Sequence, residues 1–171
     1  ASLAVAAVFS LVLVVGRTPG IASIFDGDVD FPRRSLVVHV NLALGVWFFA
    51  IIAGLFCLLP GARRTRTAPL AVSLATLGVI GFSIPMFFRA ATPILSDYVL
   101  ILDHWLFFAG LGVFAAGVTL NFFDPRLWPS RPVPGDIPVE AQHGVRAAAL
   151  AFLVAMLTIA GAYFTQDAGM S

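Results

Sequence analysis

Five apolar stretches, each near the length that crosses a bilayer and each bounded by Arg, Asp, Pro or Gly, leave this 171-residue chain very few ways to fold. They cover residues 2–16, 35–59, 69–88, 98–123 and 147–164. A spanning helix takes about 20 residues. Inside lipid only helices and closed barrels pair all their backbone N–H and C=O groups. The residues are 60% hydrophobic and 11% charged, where a soluble domain carries about 25% charge. Mean hydropathy is +0.97. The expected fold is therefore all-α, an integral membrane bundle of about five transmembrane helices in one membrane domain. The first stretch is short, yet no positive segment precedes it and no small-residue cleavage site follows, which favours a span over a signal peptide.

All fixed positive charge is Arg, and its distribution predicts an orientation. Residues 60–68 hold Arg63, Arg64 and Arg66, and residues 124–146 hold Arg126, Arg131 and Arg146 in a Pro-rich loop. The alternate loops hold Arg17, Arg33, Arg34 and Arg89, interspersed with Asp26, Asp28, Asp30 and Asp97. The positive-inside rule then places 60–68 and 124–146 in the cytoplasm. Net charge is +1, with no basic face of the kind that binds nucleic acid. The single Cys57 excludes a disulfide framework. No nucleophile–base pair, phosphate loop or Cys/His metal spacing is present.

Within this frame the histidines stand out, because an ionisable side chain inside a membrane is costly and usually functional. His39 is expected about four residues into the second helix and His104 about six into the fourth. Both helices begin on the outer side, so the two rings are expected at similar depth. His143 falls at the inner start of the fifth helix and is expected to be solvated. Gly45, Gly54, Gly78, Gly81, Gly110, Gly112 and Gly117 dot the helices. Such residues let membrane helices approach closely, within the chain or against other subunits.

The run from Ser35 to Pro60, with His39-x-Asn41 followed by Trp47 and Gly54, resembles the second membrane helix of subunit I of the haem–copper oxidases. The likeness is nearest to the nitric oxide reductase and divergent oxidase branches. It extends loosely over residues 30–165, through Gly81 to Pro93 and Asp103-His104-Trp105. The resemblance implies that His39 is an axial ligand of a low-spin b-type haem, and that the residue matching His104 is not an iron ligand. It also implies the bacterial inner membrane and a respiratory complex. Other membrane subunits would be its partners, with cytochrome c or a quinone exchanging electrons. The later helices that carry the copper ligands and the remaining haem ligands have no counterpart here, so the likeness is to the N-terminal portion alone.

Three functions follow for testing. In one, the chain is an electron-transfer subunit sharing a haem through His39. In another, it is a self-contained cytochrome b with His39 and His104 on one iron, since haem in membrane bundles is held by inward-facing His on separate helices. In the third, it is a haem-free anchor or scaffold. Arg33 and Arg34 are candidates to pair with haem propionates, because the guanidinium fork matches a carboxylate. The alternative for both is interfacial anchoring, or pairing with Asp28 and Asp30. Asn41 and the Asp103 region are expected to orient the ring of His39. Asn121 is expected to hydrogen-bond between helices.

Overall fold

The computed structural model describes residues 2–16, 18, 28–57, 67–95, 100–122 and 139–166. Five helical rods dominate them, and the fold is all-α apart from one small hairpin. The first rod is α1 (Ser2–Gly16). The second is continuous and has three parts: α2 (Phe31–Val40), a π-helical segment (Asn41–Val46) and α3 (Trp47–Cys57). The third is α4 (Thr67–Ser83), tightening into a 3-10 turn at Ile84–Phe87. Strands β1 (Thr92–Leu95) and β2 (Leu100–Asp103) precede the fourth rod, α5 (Trp105–Phe122). The fifth is α6 (Val139–Gln166). Three helical spans, Phe31–Ile52, Thr67–Phe87 and Trp105–Phe122, are long and apolar enough to cross a membrane, with shorter apolar helices at Ala4–Gly16 and Arg146–Thr158.

Among the boundaries that differ from the expectation, two are set by local contacts. The second rod starts at Phe31, not at residue 35, because Pro32 suits the first helical turn and Asp28 accepts the N–H groups of Asp30 and Phe31 at 3.3 and 3.1 Å. Arg33 and Arg34 thus belong to the helix. Residues 100–103, expected to begin the fourth helix, instead form a strand. An apolar run of this length suits a buried strand as well as a helix. Here it finds an antiparallel partner, Thr92 opposite Asp103 and Leu95 opposite Leu100. Leu102 is fully buried, and Asn41 Nδ2 donates to Leu100 O at 3.0 Å, which closes one carbonyl of the hairpin.

The α4–α5 pair is antiparallel and nearly backbone to backbone. A Cβ at Gly117 would lie 2.6 Å from Ala75 N and 2.7 Å from Ala71 O. Gly78 and Gly110 are equally closed against Phe114 and Phe82. Gly117 was a candidate to face another subunit; its approach is used within the chain. Gly45, Gly54 and Gly112 have open space where a Cβ would project. Two apolar clusters fill the bundle. One joins Ala6, Val38, Leu42, Phe82, Leu102 and Phe107. In the other, Phe49 meets Phe114, Phe122 and Phe152, with ring centroids 6.2, 6.3 and 4.8 Å away.

Candidate functional site

His39 sits eight residues past Phe31, about 12 Å along its rod at 1.5 Å per residue. Its ring is half-buried beside α1, and Nδ1 lies 2.7 Å from Ala6 O. A carbonyl can only accept, so the proton is on Nδ1. In the neutral ring that leaves Nε2 with a free lone pair, and it has no hydrogen-bond partner among the described residues. This is the tautomer that metal-ligating imidazoles adopt when a backbone acceptor holds the other nitrogen. Asn41, expected to orient the ring, instead donates to Val37 O at 2.8 Å and to Leu100 O. Asp103 is exposed. The partner is a main-chain carbonyl in another helix, which no side-chain pattern could reveal.

His104 is held in the opposite sense. It directly precedes α5, and Leu106 N donates to its Nδ1 at 3.2 Å. The ring therefore acts as the acceptor that caps a helix N-terminus. Its proton is on Nε2, and its lone pair is already used. The ring stacks on Trp105 at 28° and lies 5.4 Å from Phe88. Rather than lying six residues inside a helix, His104 starts one. His143, in the first turns of α6, is exposed.

Arg34 is 98% buried, with 2% of its side chain exposed. Its Nε donates to Met86 O at 2.9 Å and an Nη group pairs with Asp28 Oδ2. Arg89 approaches the same oxygen at 3.9 Å from an exposed position. Burial pushes the Asp28 carboxyl up, but the hydrogen bond and charge of Arg34 outweigh it, aided by the N–H groups of Asp30 and Phe31. The net position lies below the ordinary 3.8. Arg34 is thus committed to a clasp between α2 and the turn after α4, the pairing alternative. Arg33 pairs with Asp30 at 3.2 Å and is largely exposed. Of the two, only Arg33 stands open to an outside anion.

A groove of about 660 Å³ runs between the second rod and α4 over a floor of α5. Val46, Phe49, Val79 and Phe114 line it, and neither His39 nor His104 does. Among the described residues no three His, Cys, Asp or Glu side chains gather as a metal site. At His39, one imidazole nitrogen is left in the form that ligates a metal.

No protein-family model matches the chain, and no solved structure does. It is similar to an uncharacterized protein of Aquifex aeolicus (strain VF5), 29% identical over 120 residues. That match takes in 70% of this chain and 30% of the relative, so the chain spans under a third of the protein it matches.

Proposed function

We propose that this chain is a membrane subunit, or a membrane portion, of a respiratory redox complex, which holds or shares a low-spin b-type haem through Nε2 of His39. The observation that carries this reading is the Nδ1–H donation from His39 to Ala6 O, which fixes the ring and leaves the other nitrogen basic. Bound there, haem would supply one-electron transfer. The chain's own part is to hold the ring between α1 and α2 through Ala6 O. The self-contained cytochrome is the weaker alternative, because Nδ1 of His104 is occupied by Leu106 N–H. The second axial ligand then comes from a partner chain, and cytochrome c or a quinone exchanges the electron.

The location that goes with this reading is the bacterial cytoplasmic membrane, with the His39 end outward. In a background lacking Cys57, a cysteine at exposed Val29 should label from outside, and one at exposed His143 from the cytoplasm. The function itself is tested by a reduced-minus-oxidised visible spectrum of the complex purified through this chain. Narrow low-spin b-type bands supported by this chain are expected. Their absence from wild type would leave the haem-free scaffold.

A further inference from the structure

We infer that the hairpin of β1 and β2 lies in the headgroup–acyl boundary of the bilayer at the His39 end, with Ile94 and Leu95 against lipid. It neither projects into water nor receives a protein partner there. The inference is independent of any haem.

The span Thr67–Phe87 is 21 residues long, about 30 Å at 1.5 Å per residue, which is the thickness of a hydrocarbon core. Arg66 precedes this span and Arg89 follows it, so Phe87 marks one face of the core. Gly110 packs on the backbone of Phe82, and one turn beyond them stand Leu106 and Met86. The start of α5 therefore lies at the same face. Exposed rings bracket the hairpin at this level: Phe87 and Phe88 before β1, and Trp105, 72% exposed, after β2. Tryptophan is enriched where hydrocarbon meets headgroups.

Two contacts keep the hairpin at that level. Asn41 Nδ2 holds Leu100 O at 3.0 Å, and Asn41 lies two turns further along its rod than Arg34, whose Nε holds Met86 O. Leu102 is fully buried in the apolar cluster of the bundle. The strand end at Leu95 and Leu100 is thus drawn inward along the second rod instead of standing off it.

The side chains follow this placement. Thr92 and Asp103, the opposed pair nearest α5, are polar and exposed, while Leu95 and Leu100, the pair drawn inward, are apolar. Ile94 and Leu95 are 43% and 46% exposed. Lipid covers such side chains at this depth. The strand edges need polar contacts that hydrocarbon cannot give. Leu100 O has Asn41, Leu102 O accepts from His104 N at 2.8 Å, and Pro93 has no N–H to satisfy. Headgroups and water reach the remaining edge groups. The boundary is the level that serves both the apolar side chains and the strand edges.

The test attaches a nitrobenzoxadiazole fluorophore to single cysteines at Ile94 and Leu95, in a background lacking Cys57. The complex purified through this chain is placed in phosphatidylcholine nanodiscs. Val29, exposed before α2, is the aqueous control, and Leu77, exposed midway along α4, is the deep control. Phosphatidylcholine brominated near the headgroup should quench Ile94 and Leu95 most. The same lipid brominated near the chain end should quench Leu77 most, and aqueous iodide should quench Val29 alone. Iodide quenching of Ile94 and Leu95 equal to that of Val29 would place the hairpin in water. Protection from iodide and both brominated lipids would mean that protein covers it. Quenching equal to that of Leu77 by the deep bromine would sink it into hydrocarbon. Each of these three results overturns the inference.

Discussion

The two ends of the bundle treat polar groups differently. At the His39 end, Arg34, His39, Asn41 and His104 each close on a main-chain atom of the same chain: Met86 O, Ala6 O, Val37 and Leu100 O, and Leu106 N. The Ser35 hydroxyl is the exception, buried without a partner. At the other end of α5, Asn121 keeps its Nδ2 buried and unpaired among the described residues, beside an apolar groove. A buried polar group left unpaired costs about 1–3 kcal/mol. The first end thus pairs its polar side chains within the chain apart from Ser35, with one imidazole nitrogen left over for a ligand. The second carries an unpaired amide beside an apolar groove.

The largest effect that bears on this contrast comes from the clasp. Arg34→Met should leave Asp28 with only the more distant, exposed Arg89 and destabilise the fold by about 3 kcal/mol, the low end for a broken buried pair, since Asp28 keeps some solvent contact. Unfolding in mixed micelles measures it. The same pair predicts acid sensitivity. The carboxyl of Asp28 is lowered on folding, so its stabilisation is present above the ordinary 3.8 and fades as pH falls through the lower folded value. A wild-type acid limb that persists unchanged in Asp28→Asn would separate the clasp from acid unfolding.

Next in size is the α4–α5 contact. Gly110→Ala should cost about 2–3 kcal/mol, because the added methyl meets Phe82 backbone that cannot move aside. Gly112→Ala should be neutral or slightly stabilising, because nothing lies within 4 Å of the new atom. Equal losses at the two positions would mean that Gly112 too is covered. Smaller still is the cap. His104→Ala should cost about 1 kcal/mol, and His104→Asn should recover most of it, since asparagine caps a helix equally well.

Much of the bundle is legible in the sequence, because lipid-spanning segments announce themselves by length and hydropathy. Residues 2–16 fall where the pattern puts them. The hairpin at Thr92–Leu95 and Leu100–Asp103 does not, since a four-residue apolar strand and a helical turn look alike until the partner strand is known. The start of α6 at Val139 lies upstream of the apolar run because its first turns are polar and exposed, as His143 is. At the site, the sequence favours His39 over His104 only through the resemblance, and spacing alone puts both at similar depth. What separates them in the structure is which ring nitrogen carries the proton. That depends on Ala6 O and Leu106 N, main-chain atoms with no signature in residue type.

The asymmetry between those two rings is the centre of the account, and one spectroscopic comparison tests it directly. His39→Ala and His104→Asn are each introduced into the intact complex, with complex yield followed in parallel, and reduced-minus-oxidised spectra are recorded. Low-spin b-type absorbance should be lost with His39→Ala and stay at wild-type intensity with His104→Asn. A full, unshifted low-spin spectrum in assembled His39→Ala would contradict it.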